Sequence, residues 1–142
     1  MNLGYMLAAV AGLLIAAQVT IMGRNAPRVG PFTVALLVHV GGLVIALVVM
    51  FLRRGWGEAL ESAAGGWWVI PGVAGFFILS CLSLASARVG AAVALALSVA
   101  TQLGAGLVLD SRLGIAPINL KATAGIALIV AGTYLVAARA PA

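Results

Sequence analysis

The chain has 142 residues, 64% hydrophobic and 8% charged, with three acidic residues against eight lysines and arginines and a formal net charge of +5. It lacks the polar surface a water-soluble domain of ordinary composition presents, which places it in a lipid bilayer. Its basic residues are scattered singly or in pairs over the loops, with no stripe or cluster, which excludes a nucleic-acid-binding surface.

Residues 3–22 are interrupted only by Gln18 and Thr20, and such a run suits the ~20 residues needed to cross ~30 Å of hydrocarbon. No basic stretch precedes this segment and it is too long for a signal-peptide core, so it is expected to remain as an anchor. Residues 23–30 combine Arg24, Asn25, Pro27 and Arg28 and read as a loop. A second helix over 31–52 tolerates Pro31 in its first turn, where no N–H is needed, and contains His39. The connection over 53–66 is the longest polar one, with Glu58 and Glu61 on a surface turn and Trp56 at the interface. Trp67 and Trp68 open a third helix, 67–87, at the headgroup level, where a half-wetted amphipathic ring is favoured. A bend is expected at Pro71.

The turn at Arg88, Val89 and Gly90 is so short that a fourth helix, 91–109, must return antiparallel beside the third. The loop from Asp110 to Lys121 leads to a fifth helix, 122–138. The fold class is therefore an all-α integral membrane protein. Residues 1–142 form a single transmembrane domain of five spanning helices with the termini on opposite sides.

Call the side holding the amino-terminal end of the first helix X and the other side Y. Arg53, Arg54, Arg112 and Lys121 lie at X; Arg24, Arg28, Arg88 and Arg139 lie at Y. Lysine and arginine excess sets orientation, so a level count leaves insertion unbiased. Two oppositely oriented copies would pair about a two-fold axis in the membrane plane, giving an inverted (antiparallel) homodimer. In the last helix Gly125, Ile129 and Gly132 lie along one side, where small residues permit close helix contact. This face is expected either at the dimer interface or against another helix of the same chain.

The membrane-embedded polar groups gather between the midplane and Y. Gln18, His39, Ser83, Ser98 and Gln102 are the candidate substrate-binding residues, around a cavity open to Y or closable from it. Ser80, Ser86 and Thr133 are expected to bond to carbonyls of their own helices. The two glutamines carry four hydrogen-bonding positions each and cannot satisfy them locally. His39 is the one deep side chain able to titrate; as a neutral imidazole it accepts a proton, a substrate hydrogen bond or a neighbour's hydroxyl. Asp110, with Arg112 and Lys121 on the same side, reads as part of a local charge pair. The single cysteine, Cys81, falls in an apolar segment and can form no intrachain disulfide. No GxSxG, HExxH, buried carboxylate pair or metal-ligand cluster is present, and nothing positions His39 against Ser83 or Ser98, so no catalytic, metal or cofactor site is expected.

Five helices, the tight turn between the third and fourth, the Asp-containing loop and the Gly-rich last helix together resemble a half-length member of the drug/metabolite transporter superfamily, specifically the YdcZ-like family. The matching residues are Gln18, Gly30 to Phe32, Gly41 and Gly42, Val89 to Ala92, Gln102 and Leu103, Asp110 and Gly114. The closing GIALIVAG is similar to the last helix of small multidrug-resistance proteins, where it builds the dimer face. The resemblance implies a bacterial inner-membrane permease working by alternating access as an antiparallel pair on a small-molecule substrate. The small multidrug proteins use a glutamate in their first helix, whereas no carboxylate is expected in any helix here. A cavity of amides, hydroxyls and one imidazole suits hydrogen-bonded or anionic cargo. The alternatives are a flippase for lipids or lipid-linked precursors, with Arg88 reading headgroup phosphate, and an accessory membrane subunit.

Overall fold

The computed structural model describes residues 3–138. They form α1 (Leu3–Val29), α2 (Pro31–Arg53), α3 (Trp56–Ala64), α4 (Val69–Val89), α5 (Ala91–Arg112) and α6 (Leu120–Ala137). Five of the six, all but α3, are long and apolar enough to cross a membrane. Helix α4 is central, packing on α1, α2 and α5, and α6 joins the bundle through α5.

Trp67 and Trp68 precede α4 and do not open it, the other ends of α2, α4 and α6 shift by one or two residues, and three differences are larger. Helix α1 does not stop at Met22 but continues through Gly23, Arg24, Asn25, Ala26 and Pro27 to Val29. Pro27 removes one helical N–H, but Gly23 and Ala26 are buried, and their packing holds the turn that the local sequence would break. Asn25 turns its amide back onto the Ile21 carbonyl at 2.8 Å instead of opening a loop. The connection over 53–66 contains a helix, α3, and not merely a turn. Helix α5 runs on to Arg112 and so takes in Asp110, correcting the expectation that no helix carries a carboxylate. Pro71 lies in the first turn of α4, where its missing N–H has no helical partner to lose.

Each of the two tight turns is a single glycine. Gly30 (φ 85°, ψ 151°) joins α1 to α2 and Gly90 (φ 81°, ψ 154°) joins α4 to α5. In both the glycine N–H bonds four residues back, to Ala26 and Ser86, and its carbonyl accepts from four residues on, from Val34 and Ala94. Positive φ with extended ψ is open essentially only to glycine. The sequence Arg-Val-Gly stands at both turns, so α1–α2 and α4–α5 are two copies of one helical hairpin running in the same direction through the bundle.

The buried residues all fall in the Y half. They are Val19, Met22, Gly23 and Ala26 of α1, Val34 and Ala35 of α2, Ser80, Ser83 and Ser86 of α4, Val93, Ala94 and Ala100 of α5, and Thr133 of α6. By contrast residues 3–15 and 40–49 are exposed throughout. The bundle is thus closed by close packing at Y, and its X half turns aliphatic side chains outward.

Candidate transport grooves along α5

Two grooves flank α5. The first, of about 590 Å³, lies between α4 and α5, with Phe77, Ile78, Cys81, Leu82 and Ala85 on one wall and Ala94, Leu97, Ser98, Thr101, Gln102 and Ala105 on the other. The second, of about 400 Å³, lies between α5 and α6 and runs from Gln102 past Leu103, Gly106 and Leu107 to Asp110, facing Ala122, Gly125, Ile126 and Ile129. One residue, Gln102, belongs to both. The first groove occupies the Y half and the second the X half, so they meet at the middle of α5. Gln102 donates from Nε2 to Ser98 Oγ at 2.9 Å and is otherwise exposed. Three of the four hydrogen-bonding positions of its amide stay available, in walls whose other polar residues are Ser98, Thr101 and Asp110.

Of the expected substrate-binding residues, Ser98 and Gln102 are thus brought together, and Gln18, His39 and Ser83 line neither groove. Gln18 on α1 is half-buried and has no hydrogen bond. His39 is half-buried between α2 and α4, beside Phe76 with ring centroids 6.1 Å apart. Its Nδ1 lies 2.8 Å from the Ala35 carbonyl. A carbonyl only accepts, so Nδ1 is the donor of this bond, and Nε2 lies beside Gly75. Ser83 is fully enclosed and donates to the Ser80 carbonyl at 2.9 Å.

The hydroxyls at Y do structural work that differs from the expectation in two of three cases. Ser80 bonds to Phe76 of its own helix at 2.8 Å, as expected. Ser86 instead reaches across to the Val19 carbonyl of α1 at 3.2 Å, and Thr133 to the Ala96 carbonyl of α5 at 3.3 Å. Ser86 can do so because Gly23 presents no side chain there; a Cβ on Gly23 would fall 2.7 Å from Ser86 Cβ. Of the polar groups near Y, Ser86 and Thr133 therefore tie neighbouring helices together. On α6, Gly125 and Ile129 face α5 across the second groove, whereas Gly132 is exposed with open space beside it. Asp110 uses its backbone carbonyl to accept from Ile115 and Ala116, and its side chain lines the X end of the second groove.

Residues 3–135 match the family described as "Putative inner membrane exporter, YdcZ". The chain is also 33% identical to the inner membrane protein YdcZ of Escherichia coli strain K12, across 98% of this chain and 96% of that protein. The chain belongs to the YdcZ family. It is a multi-pass inner-membrane protein of a family described as exporters, a description that points to transport and away from catalysis. No solved structure matches it.

Two features of this YdcZ-family chain escaped the reading of its sequence. The Arg-Val-Gly repeat was visible at both turns, but Pro27 and the charges of Arg24 and Arg28 masked the first as a loop. The second groove depends on which faces of α5 and α6 meet, and the residues of neither helix name the partner.

Proposed function

We propose that the protein is a small-molecule permease of the drug/metabolite type that works by alternating access as an antiparallel homodimer. The observation that supports this most directly is the position of Gln102, at the middle of α5 and common to a Y-half groove and an X-half groove. A solute handed from one groove to the other passes a single amide with free donor and acceptor positions, near the midplane where transporters keep their sites. Ser98 and Gln102 make the first substrate contacts. Gln18, with its unfilled amide, His39, through Nε2, and Ser83 join when the Y-side packing opens. In a lone chain both grooves face lipid; a second, inverted copy covers them and supplies a matching pair, with Gly125, Ile129 and Gly132 at the interface.

The test is export of a panel of neutral and anionic organic solutes from proteoliposomes. Gln102→Leu is expected to abolish it, and Gln102→Asn to retain part, with both variants folded. Unchanged export in Gln102→Leu would sink the reading. Antiparallel pairing is tested separately by fusing Ala142 to a reporter active only in the cytoplasm and to one active only outside. Signal from both is expected, and signal from one alone excludes dual insertion.

A second reading is favoured by one observation, that both grooves lie between neighbouring spanning helices and are lined mostly by apolar residues. A lipid or lipid-linked precursor could enter there, with its headgroup passing Gln102. Transbilayer movement of a fluorescent phospholipid in the same vesicles, lost in Gln102→Leu, would select this flippase reading over solute transport. Loss of neither activity on replacing Gln102, Ser83 and His39 would leave an accessory subunit.

A further inference from the structure

Helix α3 is short, amphipathic and buries none of its residues. Trp56, Ala59, Leu60 and Ala63 recur at the spacing that lines one face of a helix, and Glu58, Glu61 and Ser62 occupy the other. Among the described residues the apolar face is covered only in part: Leu60 is 70% exposed and Trp56 42%, and Ala59 is half-buried. Yet α3 has no freedom to leave the membrane. Only Arg54 and Gly55 separate it from α2, and only Gly65 to Trp68 separate it from α4, both of which are spanning helices. The second connection is further shortened by a hydrogen bond from Trp68 Nε1 back to the Ala63 carbonyl at 3.0 Å.

We propose that α3 lies flat in the X-side membrane interface, with the boundary between lipid headgroups and acyl chains as the occupant of its Trp56–Leu60 face. Three features select lipid over a protein partner. The two spanning helices that hold it also expose large apolar side chains at the ends next to it, Phe51 and Leu52 on α2 and Val69 and Ile70 on α4. Trp56, Trp67 and Trp68 are all exposed and flank the connection between the two spanning helices, and tryptophan favours that boundary. The charges also fit a headgroup layer: Arg53, Arg54 and Glu58 border one polar recess at the start of the helix, where phosphate attracts guanidinium, and Glu61 is exposed on the polar face. The role of α3 is then to pin the X ends of α2 and α4 at one depth, so that relative motion of the two hairpins takes place in the membrane plane.

The experiment uses full-length protein in vesicles of phosphatidylethanolamine and phosphatidylglycerol, with Trp67→Phe and Trp68→Phe leaving Trp56 as the sole tryptophan. Expected are a blue-shifted emission, quenching by lipids brominated near the headgroup that exceeds quenching by lipids brominated deep in the chain, and severalfold weaker quenching by aqueous iodide than for free tryptophan. A second measurement keeps all three tryptophans. In a Cys81→Ser background, cysteine introduced by Glu58→Cys is expected to react readily with a charged, membrane-impermeant thiol reagent, and cysteine introduced by Leu60→Cys is expected to resist it. Strong iodide quenching with equal labelling at both positions would place α3 in water and overturn the proposal. Protection of Trp56 from iodide and from every brominated lipid would mean that protein, such as a second copy, covers the face, which also overturns it.

Discussion

At the residue scale the contact that decides most is Ser86 against Gly23. The hydroxyl finds the Val19 carbonyl only because residue 23 has no side chain, so helix α1 and helix α4 approach closely at Y. Gly23→Ala inserts a Cβ 2.7 Å from Ser86 Cβ and 3.1 Å from its carbonyl carbon, and such overpacking typically costs about 1–3 kcal/mol. Thermal unfolding in detergent is expected to show this loss, with Ser86→Gly added to Gly23→Ala recovering most of it. Ser86→Ala alone, which keeps the packing and gives up one hydrogen bond, should cost less, about 0.5–1.5 kcal/mol. Cys81 offers a probe of the neighbouring groove, since it is a free, exposed thiol on the wall opposite Ser98. A bulky membrane-permeant maleimide is expected to block solute export by the native chain and to leave Cys81→Ser active.

At the element scale the two hairpins explain how so apolar a chain acquires a defined shape. Without a hydrophobic drive between helices in lipid, close contact and turn geometry decide the packing, and both are concentrated near Gly30 and Gly90. A side chain in that backbone region costs about 1–3 kcal/mol. Gly30→Ala and Gly90→Ala are therefore expected to lower the unfolding midpoint by similar amounts. Gly12→Ala and Gly41→Ala, inside helices with open space beside them, should leave it unchanged or raise it. Equal sensitivity at all four positions would contradict the hairpin account. Helix α3 contributes differently, as a link between the hairpins with no buried residue. Its substitutions should therefore alter export more than unfolding.

At the scale of the whole molecule, packing is confined to the Y half while the grooves run the length of α5. A chain closed at one end and unpacked at the other is suited to exchange contacts with an inverted copy, which would bring a packed Y half to each exposed X half. The proposed pair demands both orientations in one membrane. Arg24→Gln with Arg28→Gln should fix X in the cytoplasm, and Arg53→Gln with Arg54→Gln should fix Y there, by the excess of basic residues each leaves behind. Each double variant alone is expected to lose export, and co-expression of the two to restore it. Export by either one alone would exclude the antiparallel pair.

The spans were legible because they follow from composition: about 20 apolar residues in a row have few alternatives to crossing the bilayer. The same holds for Gln18 and Gln102 as residues in need of partners, since an amide's hydrogen-bonding capacity is a property of the side chain itself. Only the tertiary structure decided that α1 continues through Pro27, because the buried faces of Gly23 and Ala26 outweigh a local breaker. It likewise decided that Ser86 and Thr133 bond across helices, and that Ser98 and Gln102 share a groove from which Gln18, His39 and Ser83 are absent. Arg139, the eighth basic residue, lies outside the described residues. The division has one physical cause. Crossing a membrane is a transaction between a segment and lipid, which a segment's own residues determine, whereas which faces meet depends on helix rotation, set by small residues whose partners lie far away in the chain.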